Sequence, residues 1–598
     1  MQNKTFDINR ILVPDQLGSA IANKYCSWDN ARQKAKSTWK EIRDYVYATD
    51  TSQTSNALTP WSNTTTIPKL CQIRDNLLAN YEQSLFPKRR WVEWLGANDD
   101  EEEKKKKDSI EAYMTWVVNR NEFRNCMISL LQDYIENGNA LATAIWSDGR
   151  IEHADGQVDT GYVGPLAVRV SPYDIVFNPL ATDIRRTPKI YRNLYSLGEV
   201  AKMVEHESDI EAKTAMKKVF DYMLEFRAKV GAHQGGTHEK EDWMQIDGFG
   251  TFHEYLTSDY CEILKFYGDI YDQETNTLME NHEIWVLDRH KIFLKRPVRG
   301  DFGYAEIYHS SWRKRPDNLW GMGPLENLVG MQYRVDHVEN AKADLLDLLV
   351  VPPLKIKGYV QDFEWGPMEK IHTGDDGDVE LLQAEFDSQK LNIEVAQYQE
   401  QMEQMAGAPK EAMGFRTPGE KTAFEIQKLE NASARIFQTK IQQFERDIIE
   451  PLLNSMLSLA RKNVDEVTVR VLDEEQFVDF LTLTKENITG SGSLRPFAAQ
   501  HFAEKAERVQ NITTFWTSGV AQDPAIAVHW SGLKLSKLFE ELFDLEDYGV
   551  VSPYIRVAEQ ADQQRQMQSM QEQVLTEAGE PAGLAEDDFD EELTETKR

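Results

Sequence analysis

The chain has 598 residues, with 67 basic against 99 acidic side chains, a formal charge of −32 and a pI near 4.9. That balance excludes broad gripping of duplex DNA by phosphate neutralisation, and 41% hydrophobic residues with 10% aromatics exclude a disordered chain. At ~150 residues per module the length predicts about four modules.

Cys26, Cys71, Cys126 and Cys261 form no CxxC pair and read as buried thiols of a reducing cytoplasm. The N-terminus MQNKTFDINRILVPDQ has no apolar h-region, and no run approaches ~18 uncharged apolar residues, so neither secretion nor a membrane span is expected. The sequons at Asn63, Asn487 and Asn511 then read as coincidental.

Residues 16–49 and 67–86 show helical spacing, the second ending at Phe86-Pro87 because proline cannot continue a helix. The stretch 101–146 opens on EEEKKKKD, a solvated helix start, and carries apolar residues at helical spacing until Asn137-Gly138-Asn139 interrupts it. From about 140 to 312 the period changes to two, predicting strands over 140–146, 166–170, 263–271 and 283–295. A charged helix is expected near 197–229, and 231–242 reads as a loop.

Trp320-Gly321-Met322-Gly323-Pro324 opens a predicted helix running to Val350, about 40 Å long. Its apolar stripe, Leu325, Leu328, Met331, Val335, Val338, Leu345, Leu346 and Leu349, stands opposite Glu326, Asp336, Glu339, Asp344 and Asp347. Double proline at 352–353 ends it, and a compact turn-and-strand insert is expected to about 386. A second acidic helix, 387–405, carries Glu394, Glu400 and Glu403. Residues 406–421 read as a slightly basic loop holding Lys410, Arg416 and Lys421. Pro451 predicts a kink near 447 in a long helix over 422–462. Residues 464–489 read as a strand pair or a strand and helix, GSGSLRP at 490–496 as a link, and helices are expected to 546. A Gln-rich segment follows from 561, then an acidic tail whose last twenty or so residues are expected to be disordered. The fold class is α+β and mainly helical.

No catalytic, metal or cofactor site is expected. Gly414 to Thr422 imitates a phosphate-binding loop, but Glu420 separates Gly419 from Lys421 and no strand precedes Gly414. His253-Glu254 and His282-Glu283 each lack the second histidine of a zinc-protease helix, and His233 and His238 have no partner motif.

The order of LFPKRRWVEWLG (85–96), WGMGPLENLVGMQYRVDHVENAKADLL (320–346), FRTPGEKTAFEIQKLENASARI (415–436), IIEPLL (448–453) and GSGSLRPFAAQHFAEKAERVQNITTFW (490–516) resembles the head-to-tail connector, or portal, family of short-tailed bacteriophages. The resemblance implies a ring at one capsid vertex of the virion, usually a dodecamer, assembled in the host cytoplasm. Double-stranded DNA would be packaged and ejected through its channel. It implies partners in the major capsid protein, the packaging terminase and a tail adaptor, and no enzymatic activity. Residues 1–319 would form the wing, 320–350 and 387–405 the stem, 351–386 the clip, 406–421 the tunnel loop, 422–489 a kinked wing helix and the segment after it, and 490–560 the crown. The acidic stem residues would repel phosphate so that DNA slides, Lys410, Arg416 and Lys421 would touch it, and Lys355, Lys357 and Tyr359 would meet the terminase or adaptor. A burial of those lysines in the subunit's own sheet, another virion protein, and a DNA-processing enzyme are the competing readings.

Overall fold

The computed structural model describes residues 17–47, 63–65, 67–86, 92–96, 101–152, 158–178, 180–206, 210–230, 260–272, 277–298, 304–350, 352–362, 371–381, 388–406, 439–464, 466–472, 478–496 and 536. The chain divides into two compact units, Met1–Val469 with Leu481–Phe502 and Arg470–Phe480 with Ala503–Arg598, and nearly all described residues belong to the first. The chain is a mixture of helix and strand.

A five-stranded antiparallel sheet forms the largest layer, built from β4 (Ile175–Phe177), β5 (Lys189–Ser196), β6 (Tyr260–Asp272), β7 (Thr277–Leu287) and β8 (Lys291–Pro297) in that spatial order. Successive side chains of a strand face opposite ways, and β6 and β7 are apolar on both faces. Leu264, Phe266, Ile284 and Val286 meet α1 (Leu17–Ala31) through Ile21, Tyr25 and Trp28. Cys261, Ile263, Trp285 and Leu287 meet α6 (Leu197–His206) and α7 (Ile210–Val230) through Val200, Met216, Val219 and Met223. A helix layer therefore covers each face, and each buried large apolar side chain contributes roughly 1.5–3 kcal/mol. Within the same sheet Arg289 forks onto Glu262 at 2.8 and 3.0 Å, both buried, with its guanidinium 5.6 Å over the Tyr25 ring.

The apolar run 283–295 divides between β7 and β8, because Asp288 and Arg289 take φ of 50° and 58° and turn the chain back. The helical stretch 16–49 likewise divides, at Arg32, into α1 and α2 (Gln33–Val46). The Arg32 guanidinium is drawn inward onto Asp29 and the carbonyls of Pro172 and Tyr173. Of the cysteines only Cys261 is buried; Cys26, Cys71 and Cys126 are half-buried, and none is in a disulfide.

A second sheet has the order β3 (Val158–Arg169), β2 (Asn139–Glu152), β9 (Ile307–Ser311). α4 (Glu101–Val118) and α5 (Asn121–Glu136) precede it, and α5 ends on Asn137 before Gly138 at φ +70°, where a Cβ would stand 2.2 Å from the Gly323 nitrogen. Only glycine fits there. Asn139 then bridges β2 to β11 (Asn318–Met322): it accepts from Gly321 N at 2.8 Å and donates to the Gly321 and Asn137 carbonyls. β10 (Arg313–Arg315) pairs with β11, and Trp320 stacks on Phe177 with centroids 4.5 Å apart.

The link expected over GSGSLRP is a strand. Gly492–Pro496 (β16) pairs in antiparallel register with Val92–Gly96 (β1), Trp94 opposite Leu494. Its other edge is closed by Asn454, whose side chain donates to Leu494 O at 3.1 Å and accepts from Leu494 N at 2.9 Å. Residues 466–472 and 478–484 are strands β14 and β15, which carry the chain from the first unit into the second and back.

Candidate functional site

The two acidic helices and the insert between them form the candidate site. The first, α8, spans Val329–Val350; residues 324–328 are bends and turns, so the helix begins five residues later than Pro324 predicts and Glu326 lies outside it. Glu326 pairs with Arg315 at 3.7 Å, and burial pushes its carboxyl above the ordinary range. The second helix, α9, spans Ser388–Ala406. Between them β12 (Leu354–Lys357) and β13 (Asp378–Leu381) form an antiparallel hairpin, extended by a bridge between Val360 and Thr373.

The polar face of α8 is occupied by the chain's own backbone. Gln332, Asp336, Asn340 and Asp344 recur every four residues, about 6 Å apart along a helix. An extended chain advances a similar distance in two residues. Residues 63–67 use that match: Asn63 N donates to Asp344 Oδ1 at 2.7 Å, Thr65 N to Asn340 Oδ1 at 2.8 Å, and Ile67 N to Asp336 Oδ1 at 3.1 Å. The Asn63 side chain also donates to Asp344 and Asp347, both at 2.9 Å. Gln332 finishes the ladder, donating to the Ile67 carbonyl at 2.6 Å and accepting from Leu70 N, an otherwise orphaned donor in the first turn of α3 (Lys69–Leu85).

α9 is fixed by a second set of charges. Glu394 accepts from Arg334 of α8 at 2.9 Å. Glu403, buried, is ion-paired with the buried Lys69 of α3. Glu339 is half-buried and paired with Lys342 at 3.2 Å, while Glu400 and Asp347 stand exposed. Of the eight acids expected to form one repelling face, Asp336 and Glu403 are thus buried, and Asp344 and Asp347 bind a neighbouring segment. The apolar stripe of α8 is split in the same way: Val335 and Val338 are buried, whereas Leu346 and Leu349 are 44% and 43% exposed, next to the exposed Leu348 and Val350.

On the hairpin, Lys355 is 58% exposed and pairs across the strands with Glu380 at 2.8 Å. Lys357 is exposed opposite Asp378, and Tyr359 is 77% exposed. The alternative of a buried hairpin strand does not hold for these side chains. Lys410, Arg416 and Lys421 lie outside the described residues, as do Gly414 to Thr422, His233, His238, His253, the crown segment after 496 except Ser536, and the tail.

Pro451 has no N–H, and its ring crowds the carbonyl of Asp447. The helical residues 439–444 accordingly pass through a π-helical turn, Glu445–Ile449, before α10 (Glu450–Asn463). The wider turn falls where the sequence predicts the kink. Glu283, beside His282, accepts from Trp285 Nε1 at 2.8 Å and Arg296 Nε at 2.9 Å, a structural role. Among the described residues no cluster could hold a metal ion, and no helix is long and apolar enough to cross a membrane.

The missed feature, the docking of residues 63–70, has a signal in the four-residue polar spacing from Gln332 to Asp344. Its partner, 262 to 281 residues upstream, carries none. Compared with known proteins, the chain matches no family model and no curated protein.

Proposed function

We propose that this chain is the ring subunit of a phage head-to-tail connector, a portal whose axial channel passes double-stranded DNA during packaging and ejection. The observation that carries the reading is the helix–hairpin–helix unit 329–406: two acidic helices, tied by Arg334 and Glu394, that present an exposed two-stranded hairpin between them. Such a unit supplies a wall for a channel and a projecting contact for a motor or an adaptor.

The electrostatics suit a conduit. Residues 324–350 hold five acids against two bases, and repetition around a ring multiplies the surplus. DNA phosphate then meets no deep well and slides. Because Asp336 and Glu403 are satisfied inside the subunit, and Glu339 and Glu394 are paired with Lys342 and Arg334, the repelling charge is assigned to the exposed Glu400 and Asp347. On this reading Lys410, Arg416 and Lys421 touch phosphate within the channel. Lys355, Lys357 and Tyr359 of the hairpin meet the terminase and then the adaptor.

The deciding experiment is electron microscopy of the purified full chain. Rings of about twelve copies with an axial hole are expected from a closed heterologous interface. Monodisperse monomers at high concentration would overturn the reading.

A further inference from the structure

A cavity of about 400 Å³ opens beside the β10–β11 hairpin and the π-helical turn, away from the helix–hairpin–helix unit. We propose that it binds a small phosphate-bearing anion, a phosphomonoester with a compact organic group. Among the described residues four cations line it, Arg185, Lys314, Arg315 and Arg446, against two carboxylates, Asp183 and Asp447. On a chain with a formal charge of −32, this is a local reversal of sign.

The carboxylates do not use up the cations. Asp447 alone faces two of them, accepting from Lys314 Nζ at 2.6 Å and Arg446 Nε at 3.2 Å. Asp183 turns its Oδ1 to its own loop, accepting from Arg185 N at 3.0 Å. Arg315 reaches Glu326 only at 3.7 Å. Next to this group Lys440 is pushed below its ordinary range by burial and by the nearby Arg313 and Lys314, so like charges are crowded here. A dianion would relieve that repulsion through charge-assisted hydrogen bonds.

The size and walls select the class of ligand. The volume lies at the lower end of the ~300–1,000 Å³ of small-molecule sites, more than one tetraoxyanion fills and far less than a duplex needs. Ile307, Leu319 and Pro316 supply an apolar side for an organic group. His309 at the wall is half-buried and uncharged at neutral pH, because desolvation pushes it down to about 4, so it adds no cation to the count.

The test is calorimetric titration of the full chain at fixed ionic strength with inorganic phosphate, adenosine monophosphate, adenosine and a short DNA duplex. Phosphate and the mononucleotide are expected to bind, the mononucleotide more tightly, and adenosine not to bind. Arg185 and Arg446 are exposed, so the double variant Arg185→Gln/Arg446→Gln should keep the wild-type melting temperature without ligand. It should lose at least about tenfold in phosphate affinity, what one charge-assisted hydrogen bond supplies. Saturating phosphate should raise the melting temperature of the wild type and not of the variant. Absence of phosphate binding, adenosine binding as tightly as its monophosphate, binding of the duplex alone, or an unchanged affinity in the variant would each overturn the proposal.

Discussion

His309 illustrates how a single half-buried side chain sets a pH limit. Its Nε2 lies 3.2 Å from Asn139 Oδ1, and desolvation holds its pKa near 4 against an ordinary 6.5, with Asp447 opposing the shift and Lys314 adding to it. Between those values the unfolded chain takes up the proton first. Stability is therefore complete above about pH 6.5 and is lost as pH falls toward 4, by about 3 kcal/mol from this one group. Urea unfolding between pH 7 and 4 should show a shallower loss for His309→Gln than for the wild type. The Lys69–Glu403 pair is a second single-residue liability. Glu403→Gln leaves the buried ammonium of Lys69 without its counter-charge and should cost about 3–5 kcal/mol. Lys69→Met combined with Glu403→Leu should recover most of that, and the pair of unfolding curves checks both.

The contact between α8 and residues 63–67 belongs to the scale of elements. An extended segment has unused N–H groups, and here alternate ones are satisfied by side chains one helical turn apart. Asp344→Ala removes the acceptor for the Asn63 backbone and amide together and should cost about 1–3 kcal/mol locally. Hydrogen exchange is the suitable measurement. The amides of Asn63 and Thr65 should lose protection while those of β6 and β7 keep theirs, since the strands belong to a separate part of the core. The element types were largely legible: the helix over 69–85, the change to period two after Asn139, and the disturbance before Pro451 all follow from local spacing and proline chemistry. The turn at Asp288-Arg289 was not, because both residues take φ above zero without glycine, held by the ion pair of Arg289 with Glu262.

For the whole molecule, the exposed end of α8 matters most. Leu346 and Leu349 sit at 44% and 43% exposure on a helix whose earlier Val329, Val335 and Val338 are buried, and apolar groups left in water at one end of a long helix are suited to association. Leu346→Ser with Leu349→Ser should leave the monomer's melting temperature within about 2 °C, since surface substitutions stay within roughly 0.5 kcal/mol. If the chain assembles as the proposed ring, the variant should also abolish rings in electron micrographs; intact rings would remove these residues from the subunit interface. The sequence by itself determined the α+β class, the positions of most helices and strands, and the acidic character of the two helices, because periodicity, proline and charge act within a few residues. Only the tertiary structure decided that Asp336 and Glu403 are internal acceptors, that Gly492–Pro496 is a strand against Val92–Gly96, and that Lys314, Arg446 and Arg185 converge on one cavity. Each depends on a partner hundreds of residues away in at least one case, and a burial or a pairing of that kind leaves no local pattern to read.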